Sequence, residues 1–146
     1  MQSIIVVVLV GIAAGFAVGV QAPMASLISG RLGVLEGVFI VHLGGAIAAL
    51  IPLLLVEGGG NLKGWRELPP YVLIAGFFGL VVISGISFTI PEIGATATIF
   101  LVLIGQLVIG ALIDHFGWLD TEVRPFEFSR ALGVAVMFFG VWLMVR

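Results

Sequence analysis

The sequence has no cysteine and little charge. Without cysteine, disulfides, thiolate metal sites and cysteine nucleophiles are all excluded. Charged residues make up 10% of the 146 residues, against about 25% in an average soluble domain. A soluble protein this small needs a polar surface larger than its apolar core, and this sequence cannot supply one. The formal net charge of -2 is also too small to suggest a nucleic-acid partner.

What the chain has instead is apolar residues, which make up 61% of the total and raise the mean hydropathy to +1.31. A helix that crosses a bilayer needs about 20 consecutive apolar residues. Five such stretches predict an all-α, polytopic membrane protein that has the lipid bilayer as its surroundings. We expect a single membrane domain, 1–146, with transmembrane helices at about 4–28, 34–56, 71–90, 95–113 and 129–145.

Prolines mark the two uncertain points in this pattern. A tight turn is predicted at Pro91-Glu92-Ile93-Gly94, because a single helix from 71 to 113 would be far longer than the bilayer is thick. A kink in one long helix is the alternative. In the first stretch, Pro23 predicts a broken helix just after Gln21.

Five crossings place the two termini on opposite sides of the membrane. Positive charge in the loops favours a cytoplasmic N-terminus only weakly, by four residues to two. So small a bias also permits insertion in both orientations, and two opposed copies then pair like the inverted repeats of many transporters. From charge alone, one orientation and dual topology are equally favoured. The residues are Lys63, Arg66, Arg124 and Arg130 on the N-terminal side, and Arg31 and Arg146 on the other.

Glycine is about twice as frequent as usual, with 21 residues in 146. Glycines spaced by four residues lie on one helix face, where two backbones can approach closely. Such stripes predict helix–helix contacts, either within the chain or between subunits. They comprise Gly11, Gly15 and Gly19 in the first helix, and Gly33 and Gly37 in the second.

Polar side chains inside the apolar stretches carry whatever chemistry the protein performs. Gln21 and Gln106 need hydrogen-bond partners in hydrocarbon, so each predicts part of a translocation pathway. A satisfied kink at Gln21 and an interhelical hydrogen bond at Gln106 are the alternatives. Ser84 shares a helix face with Ser87 and is a secondary pathway candidate, although either hydroxyl can bond to its own preceding turn. His42 is a candidate carrier of a coupling proton, because imidazole exchanges protons near neutral pH.

The remaining ionisable residues predict little chemistry. Glu36 and Glu92 are candidates for proton transfer or gating, with an interfacial and a solvated loop carboxylate as the alternatives. Asp114, His115 and Asp120 lack the spacing of a motif such as His-Glu-x-x-His, so no metal site is predicted. A nucleophile elbow, a phosphate loop and a catalytic carboxylate pair are also missing. The sequence therefore predicts neither an enzyme nor a cofactor.

The C-terminal half carries a distinctive succession of motifs: Gly94-Ala95, Gly105-Gln106-Leu107, Asp114-His115-Phe116-Gly117-Trp118, Arg124-Pro125, Arg130, Gly133 and Gly140. In this succession, and in its length and helix pattern, the chain resembles the YdcZ family, also called DUF606, of the drug/metabolite transporter superfamily. The resemblance covers essentially the whole chain. Gln21 also fits the family's first helix, whereas Ala25 stands where the family has asparagine.

The resemblance implies a multi-pass inner-membrane transporter. We expect it to be a secondary transporter of small metabolites or drugs that works by alternating access, as inverted pairs do. The resemblance also implies two five-helix halves in antiparallel arrangement, which together form a ten-helix bundle. The partner is then a second copy of this chain or a five-helix paralogue. A passive channel formed by the same dimer and a non-transporting assembly subunit are the alternatives.

Overall fold

The computed structural model describes residues 3–56, 58–125 and 127–145, and this part of the chain is helical and contains no strand. The four helices are α1 (Ile4–Leu32), α2 (Val34–Leu55), α3 (Ala75–Phe116) and α4 (Phe128–Val145). Short 3-10 helices form at Leu62–Glu67, Pro70–Ile74 and Trp118–Asp120. Three helical segments of the described chain are long and apolar enough to cross a membrane: Ile4–Leu32, Val34–Leu55 and Pro70–Phe116. The prediction of an all-helical membrane protein is confirmed.

Large apolar side chains cover the outside of these helices. Ile4, Phe16 and Phe88 each expose more than 70% of their surface, whereas the buried residues are mostly small or carry a hydroxyl. A bilayer is as apolar as a leucine side chain, so burying leucine inside the protein brings no hydrophobic gain. The buried set is Ala22, Ala25, Ser26, Ser29, Val38, Ile86, Ser87, Ala97, Thr98, Ile104 and Val141, together with Gly37.

Helices α1 and α2 are joined by one residue, Gly33. Its backbone has φ 115° and ψ 155°, in a region that favours glycine. The Gly33 amide donates to the Ser29 carbonyl at 2.9 Å, and the Gly33 carbonyl accepts from the Gly37 amide at 3.0 Å. Gly33 thus ends one helix and starts the next. Helix α1 therefore runs to Leu32 instead of ending near residue 28 as predicted.

The predicted break at Pro23 is wrong. Helix α1 passes through Pro23, although proline removes one backbone hydrogen bond. The alanines on either side, Ala22 and Ala25, are almost fully buried, at 2% and 1% exposure. Packing of this segment against its neighbours holds the helical conformation that proline alone disfavours.

The predicted tight turn at Pro91 is reduced to one residue. Residues 91–93 remain helical, and only Gly94 leaves the helical region of α3, with φ 80° and ψ 163°. A proline can continue a helix whose earlier carbonyl is left unbonded, whereas a positive φ is readily adopted only by glycine. The interruption between the predicted third and fourth helices therefore depends on Gly94.

Contacts along the chain fall into two compact units, Met1–Phe88 and Thr89–Arg146. In the first unit the Ser87 hydroxyl donates to the Ser29 hydroxyl at 2.9 Å, and both side chains are buried. A Cβ atom added to Gly37 would overlap the Ser29 hydroxyl and lie 3.1 Å from the Ser29 Cα. Helices α1, α2 and α3 are thus connected at Ser29 through a hydrogen bond and a close glycine contact.

We expect Ser29→Ala and Ser87→Ala each to lower the free energy of unfolding by about 1 kcal/mol, since each leaves a hydroxyl without its partner. The double variant should cost little more than either single one, because both remove the same hydrogen bond. Unfolding in mixed micelles measures this, with Ser84→Ala as the matched control on α3. Fully additive losses would contradict the assignment.

A second prediction concerns Gly94. Gly94→Ala should destabilise the protein by about 1–2 kcal/mol, because a side chain disfavours positive φ even though the space around Gly94 is open. Gly105→Ala is the control: Gly105 is helical and has open space, so alanine there should be neutral or stabilising by up to about 1 kcal/mol. Thermal unfolding in detergent compares the two, and equal shifts would disprove the role of Gly94.

Candidate substrate cleft

A cleft of about 600 Å³ lies between the C-terminal part of α3 and helix α4, within the second unit. Gln106, Gly110 and Asp114 follow one another at intervals of four residues, so they share the face of α3 that lines it. The complete lining is Gln106, Leu107, Gly110, Ala111 and Asp114 from α3, and Gly133, Val134 and Met137 from α4.

Two glycines leave the space that forms this cleft. A Cβ atom added to Gly110 or to Gly133 would meet no atom within 4 Å. The two residues lie on opposite walls, one on each helix. Larger side chains at these positions would therefore extend into the cleft.

The lining of the cleft suits a small organic molecule. Apart from Gln106 and Asp114, its lining side chains are apolar or absent. Concave apolar surfaces with a few polar groups are typical of sites for organic ligands, because apolar area supplies affinity and polar groups supply orientation. Gln106 is exposed and Asp114 is half-buried. The arrangement thus offers an amide and a carboxylate, about two helical turns apart.

The end of α3 beneath the cleft is held by the loop that follows. Gly117 adopts a left-handed conformation, φ 65° and ψ 30°, which ends the helix. A Cβ on Gly117 would lie 2.7 Å from Val123 Cγ2, so a side chain is also excluded by contact. The Arg124 amide then donates to the Asp114 carbonyl at 2.7 Å and ties the returning loop to the helix. This explains why glycine is needed in the Asp114–Trp118 motif.

Gln21 lines a different hollow, in the first unit. This hollow has a volume of about 420 Å³ and lies between α1 and α2. Its other lining residues are Ala17, Val20, Met24, Ala25 and Ile28 from α1, and Ile40, Val41, Gly44 and Gly45 from α2. Gln21 and Gln106 thus line separate hollows, and the pathway that would include both stays a prediction.

His42 packs against α3 in the first unit. Its Nδ1 donates to the Val38 carbonyl, one turn earlier, at 2.8 Å. The other ring nitrogen faces α3, where a Cβ on Gly79 would overlap His42 Nε2. The absence of a side chain at Gly79 therefore makes room for the imidazole. Ser84 lies half-buried further along the same helix.

The two candidate carboxylates occupy different settings. Glu36 is the third residue of α2, and a Cβ on Gly33 would overlap its Oε2 atom. The Glu36 carboxylate therefore lies against the backbone of Gly33 at the start of α2. Its role in proton transfer or gating stays a prediction. Glu92 is exposed and lies two residues before Gly94.

Some of the glycines predicted to make helix–helix contacts do so, and others have open space around them. Gly37 packs on Ser29, but a Cβ added to Gly11, Gly15 or Gly19 would meet nothing within 4 Å. Residues 4–18 of α1 are exposed throughout. The glycine stripe of α1 therefore makes no close contact in the described part of the chain.

Sequence reasoning missed the buried hydroxyls. The predicted helix boundaries put Ser26 at the end of the first helix and Ser29 in the loop after it. On the continuous helix α1 the two serines are three residues apart, and this spacing indicates a shared helix face. Thr98 is 1% exposed, and its hydroxyl has no hydrogen-bond partner among the described residues. In the same residues no group of three or more His, Asp or Glu side chains is placed to hold a metal ion.

The long helices and their apolar surface define a membrane protein, and the cleft is its candidate site for a small molecule. Residues 6–143 match the family model described as "Putative inner membrane exporter, YdcZ". The chain therefore belongs to the YdcZ family, as its motifs predicted, and is an inner-membrane transport protein. Neither the search of curated proteins nor the search of solved structures found a match.

Proposed function

We propose that the chain is one half of a secondary transporter that exports small organic solutes by alternating access, together with an oppositely oriented partner. The observation that carries the proposal is the largely apolar, partly open cleft of about 600 Å³ lined by Gln106, Gly110 and Asp114, in a chain that matches the exporter family over residues 6–143. Transport sites in such proteins lie at the interface between two inverted halves. The partner would close the open side of the cleft.

The length of α3 supports five crossings. A straight helix of 42 residues would extend about 63 Å, twice the roughly 30 Å of the hydrocarbon core. Division at Gly94 leaves segments 75–93 and 95–116, each close to the length that one crossing requires. With α1, α2 and α4 this makes five, an odd number that lets two opposed copies form an inverted pair.

The exposed half of α1 supports a partner subunit. Gly11, Gly15 and Gly19 lie on one face of α1, and every residue of α1 from 4 to 18 is exposed. Small residues at this spacing allow another helix to approach closely, and close packing is a main source of association energy in lipid. The partner is a second copy of this chain or a five-helix paralogue.

The transport proposal predicts that filling the cleft abolishes flux. Proteoliposomes loaded with a small-molecule cell extract should release at least one solute in a protein-dependent manner, detected by mass spectrometry. Gly110→Leu, which places a side chain in the cleft, and Gln106→Leu, which removes its amide, should each reduce that release at least about tenfold.

Gly105→Leu is the matched control, because Gly105 has open space around it but does not line the cleft. It should release the solute at the wild-type rate. Release by Gly110→Leu at the rate of this control, or no release by the wild-type protein above empty vesicles, would contradict the proposal. Release far above about 10³ molecules per second would instead indicate a passive channel.

The inverted pair predicts dual topology when this chain is expressed alone. The protein has no cysteine, so Asn61→Cys introduces a unique thiol in the exposed loop after α2. An impermeant maleimide should label about half of the molecules in intact cells, and all of them after permeabilisation. Labelling of all or none in intact cells would rule out a pair made of two copies.

A further inference from the structure

We propose that the imidazole of His42, in helix α2, binds the proton that the transporter exchanges for its solute, and that the proton binds at the Nε2 atom. This role rests on the proposed function, because it names the coupling ion of that transporter. Proton uptake forms an N–H bond at Nε2 and gives the ring a positive charge. Release of the proton on the other side of the membrane restores the neutral ring.

The hydrogen bond of His42 fixes which ring nitrogen takes up the proton. Nδ1 lies 2.8 Å from the carbonyl oxygen of Val38, one turn earlier on α2. A carbonyl oxygen only accepts hydrogen bonds, so Nδ1 carries the hydrogen of the neutral ring. Nε2 then has a free lone pair, and it makes no hydrogen bond in the described part of the chain. An added proton therefore binds Nε2.

The Nε2 atom faces Gly79 of α3. A Cβ atom added to Gly79 would overlap Nε2 and lie 3.0 Å from Cε1 of the same ring. The missing side chain therefore leaves Nε2 uncovered, and an alanine at this position would cover it. Gly76, three residues earlier on α3, has open space around an added Cβ and makes no such contact.

His42 is exposed, although it lies well inside the 22 residues of α2. An ionisable side chain that faces hydrocarbon is costly, so such residues in membrane segments face a water-filled passage or another protein surface. Water gives a proton a route to the ring, and imidazole changes its charge between about pH 5 and pH 8. The exposed ring is thus suited to exchange a proton with an aqueous passage.

Other ionisable groups do not pair with His42. On α2 the nearest is Glu36, six residues earlier and on a different face, and α1 contributes only Arg31, in its last turn. The part of the chain that faces Nε2 has no ionisable residue between Tyr71 and Glu92. A proton bound at His42 therefore adds charge to a region that supplies no counter-ion among the described residues.

This uncompensated charge connects proton binding to the transport cycle. Uphill export by a secondary transporter draws on an ion that moves inward. The protonated ring is stable only where water reaches it, because a lone charge is costly in hydrocarbon. Alternating access opens the passage to one side at a time. Proton uptake outside and proton release inside are therefore the steps at which His42 drives export.

Proton binding is tested by nitrogen NMR of the purified protein in detergent, with isotope-labelled histidine. The chain has two histidines, so His115→Gln leaves only the signals of His42. At about pH 8 the ring should carry hydrogen on Nδ1 and none on Nε2. Lowering the pH to about 5 should protonate Nε2, because imidazole gains its charge in this range. Hydrogen on Nε2 at the higher pH, or no change down to the lower one, would overturn the inference.

Gly79→Ala tests the contact at Nε2. Its methyl group should displace the ring, so the nitrogen signals of His42 should shift and the hydrogen bond to Val38 should weaken. Gly76→Ala is the matched control on the same helix, and it should leave the signals in place because the space there is open. Identical His42 signals in the two variants would show that Nε2 does not face Gly79 and would reject the proposed site.

Coupling is tested in proteoliposomes loaded with a small-molecule cell extract. An outside pH about one unit below the inside pH should speed protein-dependent release by at least about threefold, since one unit is a tenfold ratio of proton concentrations. His42→Gln should release solute equally with and without the gradient. His115→Gln is the control: it makes the same change at an exposed histidine outside the cleft lining and should respond as the wild-type protein does. Equal responses of the two variants would contradict the role of His42.

Binding and flux separate the two proposals. Protonation of Nε2 without any protein-dependent release from vesicles would leave the proton site standing and reject transport. Release by the wild-type protein at the same rate with and without the pH gradient would support transport and reject the proton as its coupling ion.

Discussion

The structure depends on one property of its surroundings: hydrocarbon offers a protein neither water for its polar groups nor a hydrophobic gain for association. Backbone groups must be satisfied within helices, and helices must be joined by close contact and by polar pairs. The first unit follows this rule, because a hydrogen bond between Ser29 and Ser87 lies beside the glycine contact of Gly37. The buried residues are therefore mostly small or hydroxylic, and most of the large apolar ones face outward.

Besides the close contact at Gly37, glycine performs two other tasks under this constraint. At Gly33, Gly94 and Gly117 it provides positive φ, and these residues join α1 to α2, interrupt α3 and end α3. At Gly110 and Gly133 it provides empty space, which becomes the cleft. The conformational role sets where α1, α2 and α3 begin, end or change direction. The spatial role supplies room for a ligand beside Gln106.

Much of the architecture was readable from hydropathy, because the requirement for about 20 apolar residues per crossing leaves a strong signal. The wrong predictions concern segments in which the conformational preference of a single residue competes with the packing of the helices. Pro23 signals a break, yet buried Ala22 and Ala25 hold the helix through it. The sequence predicts a loop over residues 29–33. In the structure α1 continues to Leu32, and Gly33 alone connects it to α2.

The amino-acid sequence alone determined that this is an all-helical membrane protein of the YdcZ family, because composition and motif order require no knowledge of contacts. It also marked Gln106 as a polar residue in an apolar helix. Only the tertiary structure decided which residues meet: that Ser29 pairs with Ser87, that Glu36 folds over Gly33, and that Asp114 and Met137 line one cleft with Gln106. These contacts depend on how the helices approach one another, and the periodicity of the sequence does not specify that approach.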